Sequence, residues 1–135
     1  MFVYKCDVST LRALQPQRMQ KVLGRSGAAA VQNVKDASYG VVVQTDGHIV
    51  GVLAVSETAG VPHVLGAYSA HEPCEQAHRC VVREMLEMLL SELSGARMTA
   101  TVPTGDVCVF EQCGFVVESL SEASALMALR APGTA

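Results

Sequence analysis

Two runs rich in β-branched residues, 38–45 and 48–55, are separated by nothing but Asp46 and Gly47. A two-residue connection of this kind needs positive φ at its central positions, which Asp tolerates and Gly adopts at no steric cost. The runs are therefore expected to fold back on one another as an antiparallel hairpin. Both are apolar at successive positions, with Val41, Val42 and Val43 in the first and Ile49, Val50, Val52 and Leu53 in the second. A strand with one wet face would alternate, so these strands are expected to lie in a sheet covered on both sides by helices.

The rest of the chain fills in around that hairpin. Residues 2–7 read as a first strand, and Ser9 offers an N-cap to a helical stretch with Leu11, Leu14, Met19, Val22 and Leu23 on one side. Pro16 interrupts that helix, Gly24 to Gly27 end it, and residues 28–34 suggest a short second helix. After a turn over 57–61, residues 62–69 form another strand. Apolar residues then recur at 78, 81, 82, 85, 86, 89, 90 and 93, the spacing of an amphipathic helix over 74–93. Pro73 suits its start, and Ser94 and Gly95 its end. Met98, Ala100 and Val102 alternate as a strand, and a short helix opens at 103–106 and runs to Cys113 before Gly114. Residues 115–118 and 125–130 complete a strand pair, with 131–135 a frayed tail. The expected fold is one α/β (α+β) domain over 1–135, a mixed and mostly antiparallel sheet with helices on both faces.

At 135 residues, half of them apolar and 17% charged, the chain is able to build a core and is expected to fold alone or as a homodimer. A net charge of −3 without a basic run gives no counter-charge for a phosphodiester backbone, so nucleic acid is not an expected partner. No apolar stretch approaches the roughly 20 residues of a membrane span, and Lys5 and Asp7 interrupt the first eight residues, unlike a secretory leader. A cytoplasmic location is expected. The five cysteines, Cys6, Cys74, Cys80, Cys108 and Cys113, are odd in number and lie in apolar segments, which reads as buried reduced thiols.

The element order, the stretch Asp46-Gly47-His48-Ile49-Val50-Gly51 and the late Val109-Phe110-Glu111-Gln112-Cys113-Gly114-Phe115 resemble the GNAT family of acyl-CoA N-acyltransferases, from Phe2 to Arg130. The resemblance implies a sheet that splays open between residues 62–69 and 96–102 to take the pantetheine arm of acetyl-CoA or another acyl-CoA. It implies a pyrophosphate held at the start of the long helix, by Gln76, His78, Arg79, Cys80, Val81 and Arg83, with Ser69 and Ala70 at the end of the preceding strand. The implied activity is direct acyl transfer to a small-molecule or protein amine; the alternative is a catalytically silent module that binds a partner or senses acyl-CoA. The two glycines of the family's pyrophosphate motif are absent from 76–81. Phe110 stands where many members carry a proton-donating tyrosine, and Pro103 where an asparagine is common.

Glu57 is the candidate base for the amine proton, and Tyr68 the candidate replacement for the missing acid. Read without the resemblance, the first is a solvated loop carboxylate and the second a half-buried structural tyrosine. Cys108 and Cys113 are expected to pack. His71, Cys74, His78 and Cys80 carry metal-ligating chemistry, but four candidates crowd into ten residues and two fall on the apolar stripe, so no metal is expected. Met85, Met88, Met98 and Met127 are expected to fill the core.

Overall fold

The structure is a computed structural model, and it describes residues 2–14, 22, 27–70, 75–93 and 97–129. Its elements are β1 (Phe2–Asp7), α1 (Val8–Leu14), α2 (Gly27–Asp36), β2 (Tyr39–Thr45), β3 (His48–Thr58) and β4 (Val61–Ser69). Then follow α3 (Glu75–Glu92), β5 (Met98–Pro103), a 3-10 turn (Thr104–Asp106), α4 (Val107–Gln112), β6 (Val116–Leu120) and β7 (Ser124–Leu129). The seven strands form one sheet in the order β1-β2-β3-β4-β5-β7-β6. Every pairing is antiparallel except β4 with β5.

The first hairpin turns on Asp46 and Gly47, at φ 52° and 78°. A second two-residue turn at Ala59 and Gly60 repeats those angles, so β3 extends to Thr58 and Glu57 lies within the strand, opposite Pro62, instead of in a turn. The apolar pattern stops at Val55 because the last residues of β3 leave the core, while the ladder continues. The start of α1 also differs: the Asp7 carboxylate, not Ser9, accepts the Thr10 N–H at 2.8 Å, the N-cap geometry. That bond holds the Asp7 carboxyl below its ordinary range.

One core lies between the sheet and α3 with α4, built on Val41, Val43, Leu53 and Val64 against Val82, Met85, Leu86, Leu89 and Phe110. The other lies between the opposite face and α1 with α2, and holds Cys6, Leu11, Val22, Val34, Val42, Val52 and Ala54. Met85, Met98 and Met127 are fully buried and Met88 packs at the edge. Glycines permit the close approach of helices: a Cβ on Gly51 would overlap Val81 Cγ1 of α3, and one on Gly40 would stand 2.7 Å from the Leu53 carbonyl and 3.0 Å from Leu11 of α1. Among the described residues no helix is long and apolar enough to cross a membrane. Pro16, Met19, Leu23, Gly24, Pro73, Ser94, Gly95 and the tail at 131–135 lie outside the described residues.

Two of the thiols depart from the expected burial. Cys6 is buried, and burial with the nearby Asp7 charge pushes it up to about 11. Cys113 is half-buried and raised mainly by burial, whereas Cys80 and Cys108 are exposed. Val109 and Phe110 take the inward side of α4, so Cys108 points outward beside Gln112.

Candidate functional site

Strands β4 and β5 stay in register for two residue pairs only, His63 with Thr99 and Val64 with Ala100. Immediately after that, Leu65 is an extra residue in β4: Val55 pairs with Val64 and Ala54 with Gly66, so the strand bulges and bends. Residues 66–69 keep their pairing with β3 but lose β5, while β5 stays paired along its other edge with β7 from Met98 to Pro103. A gap therefore opens from the apex at His63 and Val64 toward the two strand ends, and the first turn of α3 follows shortly after the end of β4.

Three buried polar side chains join the elements around that opening. Ser69, the last residue of β4, lies 2.7 Å from Nδ1 of His78 in the first turn of α3. Nε2 of His78 lies 3.0 Å from Oδ1 of Asp106, which follows β5. Asp106 holds the N-cap position of α4 yet makes no side-chain cap bond, although Asp is among the best caps available. Its carboxylate is turned to the histidine instead. The relay ties the ends of both diverging strands to the start of the long helix.

The residues expected to hold a pyrophosphate take different positions. Gln76, Arg79, Cys80 and Arg83 are exposed, and Arg83 donates to the Gln112 side chain. His78 is buried in the relay, and Val81 is buried over Gly51. The Ala70 N–H donates to the Val50 carbonyl at 2.9 Å. Because α3 begins at Glu75, the N–H groups of the helix without intrahelical acceptors are those of residues 75–77, and those of 78–81 fall past them. His71 and Cys74 lie outside the described residues. Both ring nitrogens of His78 face Ser69 and Asp106, and no metal-ligating cluster occurs among the described residues.

The two side chains expected to move protons lie on opposite faces. Tyr68 packs on the α2 side, its ring folded back across Gly66, and its hydroxyl accepts from Asn33 Nδ2 at 2.6 Å. Glu57 is exposed on the α3 side, where its charge helps burial to raise Tyr39 to about 12. Phe110 is buried and meets Phe115 edge to face, ring centroids 5.3 Å apart.

Sequence reasoning did not single out His63. It stands at the apex on the face opposite α3, with Nδ1 2.6 Å from Thr99 Oγ1 and Nε2 2.9 Å from Thr101 Oγ1. Burial lowers its pKa from the ordinary histidine value. The available signal was a Thr-x-Thr alternation in one strand and a histidine in another, which only the parallel pairing unites.

No family model matches the chain, and no curated protein matches it. Solved structures do. ElaA of Escherichia coli superposes with a TM-score of 0.68 at 11% identity, over 96% of this chain and 100% of that one. An acyl-CoA N-acyltransferase from Pseudomonas aeruginosa gives 0.68 at 12% identity, over 97% and 100%. The aminoglycoside 6'-acetyltransferase type Ii gives 0.63 at 11% identity, over 96% and 97%. The fold is that of the GNAT acyltransferases.

Proposed function

We propose that a chain with this fold, and with this seam open beside a helix start, is an acyl-CoA-dependent N-acyltransferase that moves an acyl group directly onto a small-molecule or protein amine. The loss of pairing between β4 and β5 beyond Val64 and Ala100 is the observation that carries this reading. It leaves the 66–69 edge without its β5 neighbour, and an extended arm bearing amides is able to lie along such an edge as an added strand would. The N–H groups of residues 75–77, with the helix dipole behind them, suit the pyrophosphate at the far end of that arm. The Ser69–His78–Asp106 relay holds this helix start against the ends of both strands.

In this reading the protein lowers the barrier chiefly by holding amine and thioester together out of water. Tyr68 supplies a proton to the departing thiolate. Glu57, exposed one residue from the apex pair, draws a cationic amine toward the seam. The names of two structurally similar proteins suggest two acceptor classes, an aminoglycoside amine and, from the ribosomal-protein-S18-alanine N-acetyltransferase of Escherichia coli (TM-score 0.62, 10% identity), an alanine of a protein. The test is release of free CoA thiol from acetyl-CoA on addition of either acceptor. The buried Phe110 favours the alternative of a silent acyl-CoA-binding module; binding of acetyl-CoA without thiol release from any amine identifies that module.

A further inference from the structure

The pair of threonines around His63 has no evident need of a histidine for packing. Thr101 is exposed, Thr99 is half-buried, and the ring between them bridges β4 to β5 at the one place where those strands meet. The face they share is uncovered toward β7 and β6, where Leu126, paired with Thr101, and Val116 are exposed. Helices α1 and α2 pack on β1 to β4. His63 therefore sits at the border between the covered and open halves of the sheet, at the head of the seam.

We infer that His63, reached through the Thr101 hydroxyl, is the proton acceptor for the attacking amine. This rests on the acyltransferase reading and adds to it a group that the expected pair, Glu57 and Tyr68, did not include. The two hydroxyls define the working arrangement: the inner Nδ1–H donates to Thr99 Oγ1, and the outer Nε2 accepts from the Thr101 O–H. An incoming ammonium gives a proton to Thr101 Oγ1 as the threonine proton passes to Nε2, leaving a neutral amine and an imidazolium. The amine nitrogen then bonds to the thioester carbonyl carbon, the carbon–sulfur bond breaks, and the sulfur departs with the electron pair. Of the two protons that the ammonium loses, one leaves His63 for solvent and the other replaces the proton that Tyr68 gives to the departing thiolate, so that both residues are restored. The open, partly apolar face beyond Thr101, with Leu126 and Val116, fits a primary amine on an apolar carbon frame.

A base for this step must be neutral at working pH, and the surroundings agree. The facing side chains are Ser56 of β3 and the two threonines, and β5 carries no titratable residue. The titratable groups on the other elements packed around this face are Tyr68 farther along β4, Lys35 and Asp36 in the last turn of α2, and, on β3, His48 at the far end and Glu57 on the opposite face. Burial alone accounts for the lowered pKa of the ring.

Two measurements test the assignment. Nitrogen NMR of the ring in the full chain at pH 7.5 is expected to show neutral His63 with Nδ1 protonated; a protonated Nε2 or an imidazolium overturns it. Thiol release is then followed from pH 5.5 to 9 with acetyl-CoA and benzylamine. His63→Gln is expected to lower the rate about 100-fold at pH 7, in the usual range for a general base, with the deficit shrinking toward pH 9 as free amine becomes plentiful. Thr101→Val is expected to lose about 10-fold with the same pH trend. Calorimetry separates the two ideas: if wild type fails to bind acetyl-CoA, the acyltransferase reading fails. If it binds and releases thiol, but His63→Gln keeps both that affinity and the wild-type pH–rate profile, the assignment to His63 fails alone; if it binds and releases no thiol at any pH, the silent module stands and both ideas fall.

Discussion

Replacing Asp106 with Ala removes the acceptor at one end of the buried relay. His78 is buried, its Nε2 lies 3.0 Å from the carboxylate, and water does not readily replace the lost partner. A hydrogen bond to a charged group contributes about 1.5–3 kcal/mol, and an orphaned buried donor costs about 1–3 kcal/mol, two descriptions of one loss that are not to be added. The expected destabilisation is about 2 kcal/mol, or roughly 6–10 °C in Tm for a domain of this size. Because Asp106 makes no cap bond, no capping loss is included. Asp106→Asn keeps Oδ1 as an acceptor and is expected to lose less than about 1 kcal/mol. Urea denaturation of wild type, both variants, His78→Ala and the double variant gives the coupling, expected at about 1 kcal/mol or more, because the two residues touch. If the Asp106→Ala curve overlays the wild-type one, or if the two single losses simply add, the relay does not hold the start of α3 and its part in positioning a pyrophosphate falls.

Other consequences are as direct. Tyr39 buries a hydroxyl with no hydrogen-bond partner among the described residues, while Lys5 lies 4.6 Å from its ring centroid; Tyr39→Phe keeps the ring contact and is expected to raise stability by about 1 kcal/mol in urea denaturation, and a loss would show that the hydroxyl is bonded. Phe110 is buried in the core, so Phe110→Tyr adds a hydroxyl to a packed site and is expected to cost about 1–3 kcal/mol; a variant as stable as wild type would mean that the ring edge reaches an open space. The folded-state pKa of His63 lies below its unfolded value, so its contribution to stability is present above about pH 6.5 and is lost as pH falls through the folded pKa. His63→Gln is therefore expected to lose less stability than wild type between pH 7 and pH 5, and equal losses in the two proteins would contradict the neutral buried ring.

What was legible in the sequence is what local chemistry decides. Asp46 and Gly47 fixed a hairpin, the unbroken apolar strands required helices on both faces, and the i, i+3, i+4 recurrence located α3. The second turn was drawn too wide, over 57–61, because Ala59 and Gly60 join strand ends that have already left the core, so that no burial pattern marks them. Asp7 was overlooked as a cap because it also closes β1. The site was less legible for a different reason. Ser69, His78 and Asp106 are brought together by a strand end, a helix start and a turn, and His63 meets its threonines across a parallel pairing of two residues. Spacing along the chain carries no trace of such contacts. It also left open the face of β3 on which Glu57 would lie, which one residue of register decides.

The central claim, that the seam between β4 and β5 and the start of α3 hold an acyl-CoA, is tested most directly by titrating the full chain with CoA and acetyl-CoA in a calorimeter. The account predicts saturable heat from one site per chain, with a dissociation constant of about 1 mM or tighter, equivalent to at least about 4 kcal/mol of binding free energy. It also predicts weakening when Asp106→Ala loosens the helix start. No heat from either ligand at millimolar concentration would contradict it.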